Sequence, residues 1–206
     1  APSNWNMTKK LINIFGIASA MAYIHSKNII HRDLKPGNVL EDQNLYPKLS
    51  DFGLSKKLHE NKTSQKITLQ SQKDLKGTPA FMSPEILENY EYTKASDVYA
   101  FSILFYELLT LENPFKNINY YMLTTKILND DYRPEFKKPI ADCYRNLITR
   151  CWNKRPKNRP TFEEIVEELK TNQDFITDEI DINEYYEYIN QTEIESSELF
   201  ERAKKL

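Results

Sequence analysis

The chain has 206 residues, with 28 lysines and arginines against 30 aspartates and glutamates, and its formal net charge is −2. This length suits one sizeable domain, alone or with an appendage, and the nearly balanced charge gives no basic face that would favour nucleic acid as a partner. The longest apolar run, residues 98 to 111, contains Ser102 and Glu107 and is too short to cross a bilayer, so no membrane span is expected.

The first predicted element is a helix over residues 4 to 26. Its apolar side chains recur close to a period of 3.6 residues, as in a helix with one buried face. Asn6 or Thr8 has the kind of side chain that caps a helix start. His25 lies near the end of this helix and is interpreted as a helix-end residue rather than a ligand.

The next stretch, residues 29 to 53, contains the polar residues best suited to chemistry. Short apolar or mixed runs predict brief strands, and a turn-forming connection separates the last two. A hairpin there would bring Asn38 and Asp51 side by side. Mg²⁺ prefers oxygen ligands, keeps few protein ligands and shares the rest with water and phosphate. The pattern therefore predicts an oxygen-rich corner suited to Mg²⁺.

Residues 31 to 38 read His-Arg-Asp-Leu-Lys-Pro-Gly-Asn, and residues 51 to 53 read Asp-Phe-Gly. In this order, with strand-forming residues at both flanks, the two motifs resemble the catalytic loop and the metal-binding triplet of the eukaryotic protein kinases. Either motif alone would fit a polar turn in an unrelated domain, which is the alternative. His31 is mainly a packing residue by this resemblance.

The resemblance implies a role for five residues of this stretch. Asp33 matches the residue that orients the substrate hydroxyl and accepts its proton, and Lys35 matches the residue that steadies the transferring phosphate. Asn38 and Asp51 match the metal ligands. Leu40 matches the apolar floor under the adenine ring, although an ordinary core strand residue also fits. ATP and Mg²⁺ are therefore the expected cofactors. A lysine at position 35 resembles the sequence of serine/threonine kinases more than that of tyrosine kinases. The expected partner is therefore a protein substrate with serine or threonine.

Arg32 directly precedes the expected base and matches an arginine that often pairs with a phosphate on the activation segment, here residues 51 to 85. Between residues 54 and 76 this segment has several serines and threonines, and six lysines against two acidic residues. A phosphate there would order the segment through charge-assisted hydrogen bonds to Arg32. Thr68 and Ser71 are the favoured phosphoacceptors. A solvated loop without a regulatory phosphate is the alternative.

Residues 77 to 85, Gly-Thr-Pro-Ala-Phe-Met-Ser-Pro-Glu, resemble the end of that segment, which serves peptide substrates in the family. Thr78 matches the residue that contacts the catalytic aspartate and lysine in serine/threonine kinases. Glu85 matches a structural glutamate that pairs with an arginine late in the domain, and Arg159 occupies the matching place. A buried pair of this kind costs about 3–5 kcal/mol to break from one side.

Residues 97 to 111 are apolar nearly all round, which predicts a helix inside the core. They resemble the central helix of the kinase large lobe. Asp97, at its start, is expected to accept hydrogen bonds from backbone N–H groups of the catalytic loop; a plain N-terminal helix charge is the alternative. Tyr99 replaces the usual tryptophan, and Ser102 replaces the usual glycine, which favours looser packing at that helix face.

The last helix of the region that resembles a kinase is predicted to run from Thr161 to about residue 169. Thr161 and Glu164, three residues on, have the spacing of a capping box. Amphipathic patterns predict two helices before it, at residues 120–128 and 141–151. The cysteine–tryptophan pair that begins at Cys151 resembles the pair found at this place in the tyrosine-kinase-like group of serine/threonine kinases. Cys143 and Cys151 show neither metal-ligand spacing nor a disulfide framework, so a reducing, cytoplasmic location is expected.

After residue 171 the composition changes to ten acidic against three basic residues, with Tyr185, Tyr186 and Tyr188 in a cluster. This composition favours an acidic, partly ordered extension or linker. A solvated tail is preferred over a docking role for the tyrosines. The predicted organisation is a partial kinase domain over residues 1–170 and an extension over residues 171–206.

The expected fold is mainly α. It is the large, C-terminal lobe of a protein kinase, a helical bundle around a buried central helix, with short β-hairpins at the catalytic loop. The small N-terminal lobe is expected to be absent, because the chain has four glycines and no Gly-x-Gly, whereas the family covers the phosphates with a glycine-rich loop and a lysine. The chain begins with Ala1, which suggests an excerpt or a processed chain, and the missing N-lobe is expected in a longer parent chain. Alone, the chain is expected to be weakly active or inactive.

Three functions remain open. The first is a protein serine/threonine kinase of the tyrosine-kinase-like group, present as a partial catalytic domain. The second is a catalytically inactive kinase-like binding or scaffold module. The third is a kinase of small molecules, which residues 77 to 85 argue against. The intact set of Asp33, Lys35, Asn38 and Asp51 favours catalysis, because a scaffold has no chemical need of all four.

Overall fold

The computed structural model describes residues 4–58, 64–66 and 76–204. The helices in these ranges are α1 Met7–Ser26, α2 Pro84–Asn89, α3 Lys94–Thr110, α4 Tyr120–Asn129, α5 Asp142–Cys151, α6 Phe162–Thr171 and α7 Ile182–Lys204. The strands are β1 Ile29–Ile30, β2 Val39–Glu41, β3 Pro47–Leu49, β4 Lys56–Lys57, β5 Ser64–Lys66 and β6 Glu91–Thr93. The expected mainly helical class with a few short strands is confirmed. Thr68 and Ser71, the expected phosphoacceptors, lie outside the described residues.

The described strands form three two-stranded antiparallel pairs, β1 with β4, β2 with β3, and β5 with β6. The β2–β3 pair is the predicted hairpin, and its register sets Val39 opposite Leu49. The residues just before β2 and just after β3 therefore lie together at the open end of the hairpin. The β1–β4 pair ties the residues before the catalytic loop to those after the Asp-Phe-Gly motif.

The core is built around α3, of whose 17 residues 13 are buried. The helix starts three residues before the predicted start because Thr93 caps it: Thr93 Oγ1 accepts the Ser96 N–H, and the Ser96 hydroxyl accepts the Thr93 N–H. Leu111 ends the helix in a left-handed conformation with φ 57°. The expected loosening at Ser102 is not found. Its side chain is buried, and its hydroxyl donates to the Tyr99 carbonyl at 2.6 Å.

The ends of α1 and α6 follow their capping residues. Asn6 is the N-cap of α1, and its Oδ1 accepts the Lys9 N–H at 2.9 Å. The backbone of Asn6 is extended, so the helix begins at residue 7 and not at residue 4. Thr161 and Glu164 form the predicted capping box of α6. α1 then packs against α3, α6 and α7, which makes it the second buried helix of the lobe.

The segment after α6 differs from the expected solvated tail. Phe175, Tyr185 and Ile189 are buried, and Tyr188 is only 9% exposed. Tyr185 Oη donates to the Leu169 carbonyl at 2.9 Å. The tyrosines pack because positions 185, 188 and 189 share one face of α7, so an acidic helix still carries an apolar stripe. The division of the chain near residue 170 stays a prediction.

None of the helices within the described ranges is long and apolar enough to cross a membrane. Cys143 and Cys151 are both free, and Cys151 lies fully inside the core. Burial raises the pKa of the Cys151 thiol, so this group remains a neutral packing side chain.

Candidate active site

One buried carboxylate at the start of α3 holds the backbone of the catalytic loop. Asp97 Oδ2 accepts the His31 N–H at 2.8 Å, and Asp97 Oδ1 accepts the Arg32 N–H at 2.9 Å. His25 Nε2, at the end of α1, lies 2.9 Å from Asp97 Oδ2. Asp97 is 2% exposed, so these hydrogen bonds act in a low dielectric where they are strong. They fix Arg32 in a left-handed conformation with φ 69° directly before the expected base.

Three polar side chains lie in mutual contact beside this loop. Lys35 Nζ lies 2.7 Å from Asp33 Oδ2 and donates to Thr78 Oγ1 at 2.8 Å. The Thr78 hydroxyl donates to Asp33 Oδ1 at 2.8 Å. Burial alone would raise the pKa of Asp33, but hydrogen bonds from Lys35, Thr78 and Asn38 outweigh it and hold that pKa below its ordinary value. Asp33 is therefore an ionised carboxylate at neutral pH.

Asn38 and Asp51 lie at the open end of the β2–β3 hairpin. The backbone N–H and the hydroxyl of Ser50 both donate to the Asn38 carbonyl at 2.9 Å, which holds the two ends together. Asn38 Nδ2 donates to the Asp33 carbonyl at 2.8 Å and to Asp33 Oδ2 at 3.1 Å. The amide oxygen is thus the Asn38 side-chain atom that can face a cation. Asp51 is exposed, and its Oδ1 accepts the Gly53 N–H at 3.2 Å.

This donor set fits a Mg²⁺ ion that also binds phosphate. Amide and carboxylate oxygens are hard ligands, and Mg²⁺ commonly combines one or two carboxylates with water and phosphate oxygens. In the part of the chain that the structure describes, no three His, Cys, Asp or Glu side chains gather as a metal site. An ion held by Asn38 and Asp51 therefore needs further oxygens from a bound nucleotide.

The surface next to the hairpin is apolar and open. Leu40 is 58% exposed and Phe52 is 45% exposed. Leu40 is therefore not an ordinary core strand residue, which was the alternative to its expected place under an adenine ring. The Phe52 ring lies 5.2 Å from the ring of fully buried His31, measured between centroids. Large apolar side chains exposed near one hairpin favour a surface that binds a partner or a ligand.

Arg32 has two contacts that the motif did not predict. Its Nε donates to the Leu54 carbonyl, and its guanidinium carbon lies 5.6 Å from the centre of the Tyr92 ring. Tyr92 Oη donates to the Lys76 carbonyl at 2.6 Å and accepts the Lys76 N–H at 3.1 Å. Burial lowers the pKa of the Arg32 guanidinium, which nevertheless stays protonated. Tyr92 thus connects the catalytic loop to the residues that precede Gly77.

Gly77 itself lies against the catalytic loop. Its φ is +108°, a conformation that side chains disfavour, and a Cβ there would come within 2.6 Å of the Arg32 carbonyl oxygen. The glycine therefore permits the close approach that brings the next residue, Thr78, to Asp33. In the sequence, Gly77 is only the first residue of a motif. The structure shows that a glycine is needed there because the backbone packs closely against the Arg32 carbonyl.

The predicted ion pair between Glu85 and Arg159 is bidentate. Arg159 Nη1 and Nη2 donate to the two carboxylate oxygens of Glu85 at 2.7 and 2.8 Å. The Arg159 side chain is fully buried, and it also donates to the carbonyls of Asn153 and Ala95 at 2.8 and 2.9 Å. Burial would raise the pKa of Glu85, but Arg159 outweighs it and the pKa is lowered. This pair fixes residues 77–85, called the platform below, to the base of the lobe.

The match to known sequences covers most of the region just described. Residues 2–169 match the family model described as protein tyrosine and serine/threonine kinase. The chain belongs to the protein kinase family. The matched residues include the catalytic-loop motif, the Asp-Phe-Gly motif and the platform.

Relatives in Dictyostelium discoideum support the same assignment. The chain is 40% identical over 147 residues to the dual specificity protein kinase shkB, and 35% identical over 157 residues to the dual specificity protein kinase shkC. It is 36% identical over 155 residues to a probable serine/threonine-protein kinase. These alignments cover 70%, 74% and 75% of the kinase chain. They span only 22%, 30% and 10% of the relatives, so the chain corresponds to a small part of each.

The structure brings four of the residues singled out from the sequence into contact with one another. Asp33, Lys35, Asn38 and Thr78 form one contact cluster, and Asp51 lies at the adjoining hairpin end. Leu40 is exposed on β2 and is not part of this cluster. Asp97 bonds to the backbone at Arg32, and Glu85 pairs with Arg159. Thr68 and Ser71 lie outside the described residues. Sequence reasoning missed Tyr92, which no motif contained. Its one signal in the sequence is an aromatic residue two positions before the start of an apolar helix.

Proposed function

We propose that this kinase chain is the Mg²⁺- and ATP-dependent catalytic part of a protein serine/threonine kinase, acting on a protein hydroxyl. The observation that carries the proposal is the contact of Asp33 with both Lys35 and Thr78 beside the hairpin end. It combines an ionised proton acceptor, a cation for phosphate oxygens and a platform residue within hydrogen-bond distance. A scaffold would have no use for that combination.

The proposed chemistry follows from the charge of each group. Asp33 orients the substrate hydroxyl through a carboxylate oxygen and takes its proton as the phosphoryl group is transferred. A carboxylate with a lowered pKa is a weak base, which suits a loose transition state in which the hydroxyl proton leaves late. Lys35 turns from Asp33 towards the transferring phosphoryl oxygens. Mg²⁺, held by Asn38 and Asp51, would neutralise charge on the phosphates.

The acceptor hydroxyl is proposed to belong to serine or threonine, because the Lys35–Thr78 contact is the one expected of kinases for these residues. Two relatives are named dual specificity kinases, so action on tyrosine as well is a second candidate. Matched peptides that differ only in serine, threonine or tyrosine at one position separate the two. Phosphorylation of the tyrosine peptide at a comparable rate would favour the second candidate.

The small lobe with its glycine-rich loop is proposed to be supplied by the longer parent chain. Exposed Leu40 and Phe52 support this, since a nucleotide and a covering lobe would bury them. A cytoplasmic location is proposed as well, on the two free cysteines. The alternative function, an inactive binding module, requires neither nucleotide nor small lobe.

The test compares this chain with a parent chain that includes the preceding sequence. Binding of Mg²⁺-ATP and phosphorylation of a peptide are measured for both, with Asp51→Ala and Asp33→Asn as variants. We expect Asp51→Ala to weaken Mg²⁺-ATP binding. Asp33→Asn should keep binding and lower peptide phosphorylation by about 10²–10⁴-fold. If neither chain binds Mg²⁺-ATP, the binding module is the better description.

A further inference from the structure

The loop of the β2–β3 hairpin, at the opposite end from Asn38 and Asp51, is held by α1. Asp42 Oδ1 accepts the Asn44 N–H at 2.8 Å and the Tyr46 N–H at 3.1 Å, which shapes the loop. Leu45 has a left-handed φ of 60°, and its carbonyl accepts Asn13 Nδ2 from the middle of α1 at 2.8 Å. The loop is therefore bonded to a buried helix as well as to itself.

The other side of the same loop is covered by α7. The ring of Tyr188 lies 4.7 Å from the ring of Tyr46 and 6.3 Å from the ring of Phe15, measured between centroids. Lys9 Nζ lies 4.7 Å from the centre of the Tyr46 ring and forms an ion pair with Glu184 of α7. The half-buried ring of Tyr46 thus has an aromatic ring from α7 and a cation from α1 as neighbours.

Gly16 shows how closely the three parts fit together. A Cβ at this position of α1 would overlap the Tyr188 hydroxyl and come within 2.6 Å of Pro47 Cγ, the first residue of β3. A larger residue would push α7 and the hairpin away from α1. Glycine is a poor helix former, so its presence inside a buried helix has a packing reason here.

The hairpin needs such support because it is short. β2 and β3 have three residues each, and Leu40 and Glu41 of β2 are exposed. An isolated two-stranded hairpin is marginally stable in water. The relative position of Asn38 and Asp51 therefore depends on the hydrogen bonds from Ser50 to the Asn38 carbonyl and on what packs against the loop at the far end. Within the described residues, those contacts come from α1 and α7.

We propose that Tyr188 of α7 is a positioning residue for the metal-ligand pair. By packing against the Tyr46 ring, it restrains the hairpin, so that Asn38 and Asp51 keep the separation that one Mg²⁺ ion requires. The role of Tyr188 in metal binding rests on the proposed function. The contact by which α7 restrains the hairpin does not depend on that function. The helix that follows the family's matched region thereby contributes to the site from outside it.

The test uses Tyr188→Ala, with Tyr188→Phe to restore the ring and Tyr186→Ala as a matched control on the same helix. Gly16→Ala is a second, independent variant: alanine strengthens α1 as a helix but displaces Tyr188 and Pro47. The first readout is hydrogen exchange at the Ser50 amide, which donates to the Asn38 carbonyl. The second is Mn²⁺ titration in the presence of a fixed excess of ATP, followed by paramagnetic broadening of the Asn38 side-chain amide and the Gly53 backbone amide.

We expect exchange at Ser50 to accelerate about tenfold or more in Tyr188→Ala and in Gly16→Ala. The Mn²⁺ concentration that half-broadens the two signals should rise by about tenfold, the lower end of losses on removal of outer-shell support. Tyr188→Phe and Tyr186→Ala should match the unaltered chain in both readouts. All titrations are made at a temperature at which each variant is folded, as checked by far-ultraviolet circular dichroism.

Unchanged exchange at Ser50 in both Tyr188→Ala and Gly16→Ala would overturn the link between α7 and the hairpin. Faster exchange with an unchanged Mn²⁺ titration would make Tyr188 a structural residue only and overturn the positioning role. If the unaltered chain shows no Mn²⁺ broadening at either signal with ATP present, the metal pair of the proposed function is wrong. In that case, hydrogen exchange at the Ser50 amide still tests whether α7 restrains the hairpin.

Discussion

The platform end and the hairpin end of the candidate site differ in how their positions are secured. At the platform end, Thr78 and Glu85 are tied by side-chain hydrogen bonds to the catalytic loop and to buried Arg159. At the hairpin end, Leu40 and Phe52 are exposed, and the strands have only three residues each. The groups proposed to bind the substrate hydroxyl are thus held by hydrogen bonds within this lobe. The groups proposed to bind the nucleotide lie on an exposed hairpin, whose position depends on the elements that pack against it.

The largest expected effect tests the platform end. Arg159→Ala leaves Glu85 buried without its cation, so the free energy of unfolding should fall by about 3–5 kcal/mol. Urea unfolding followed by circular dichroism measures this loss. The control is Arg150→Ala, whose partner pair with Glu168 is on the surface, where such pairs contribute about 0–1 kcal/mol. Equal losses in the two variants would contradict the importance of burial for the Glu85 pair.

A second substitution disturbs the approach of the platform to the catalytic loop. Gly77→Ala places a Cβ against the Arg32 carbonyl at a positive φ, and we expect a loss of about 1–3 kcal/mol in the free energy of unfolding. Gly37→Ala is the matched control, because a Cβ there meets only Lys35 Cε at 3.8 Å. Chemical denaturation of both variants provides the comparison. A similar cost at both glycines would show that the close approach at Gly77 has no energetic weight.

A smaller effect with a pH signature is expected at Thr78. Thr78→Val removes a hydrogen bond to Asp33 and should cost about 1–2 kcal/mol at pH 7. Because the pKa of Asp33 is lower in the folded chain, its ionised form adds stability above the ordinary aspartate pKa. That stability is lost as the pH falls through the lowered value. The variant raises this pKa, so acid should remove less stability than from the unaltered chain.

Urea unfolding at a series of pH values between 7 and 3 gives the required slopes. Thr110→Val is the control, since the Thr110 hydroxyl donates to the Tyr106 carbonyl and touches no carboxylate. It should lower the free energy of unfolding at every pH without changing the slope. An unchanged slope in Thr78→Val would refute a hydrogen bond from Thr78 to ionised Asp33.

The smallest effect is expected at the hairpin end. Leu40→Ala should change the free energy of unfolding of this chain by less than about 0.5 kcal/mol, because the side chain is mostly in water. Leu34→Ala, on the same stretch but fully buried, should cost about 2–5 kcal/mol. In the longer parent chain, Leu40→Ala should weaken ATP binding in a fluorescence titration. A large cost in the short chain would mean that Leu40 packs within this lobe.

The chemistry-bearing residues could be predicted because they lie close together in the sequence. Asp33, Lys35 and Asn38 fall within one turn of chain and an adjoining short helix, and the helix starts followed from capping residues such as Thr161. Tyr92 could not be found in this way. Its contacts with Arg32 and the end of the activation segment arise only when distant parts of the chain fold together.

The tail was misjudged for a different reason. Its average composition is acidic, and the average hides the spacing of Tyr185, Tyr188 and Ile189, which share one face of a helix. Three apolar side chains at this spacing are enough to dock a helix when the facing surface is buried and aromatic, as around Phe15. Periodicity within the tail was therefore more informative than its net charge.

The hydrogen bond from Tyr185 to the Leu169 carbonyl has a practical consequence. The family match stops at residue 169, but the buried core extends past it to Ile189. A recombinant piece cut at the end of the family match would expose Phe15 and the end of α6 to solvent. Such a piece should aggregate during purification, and losing its last helix would be the cause rather than any defect in the catalytic motifs.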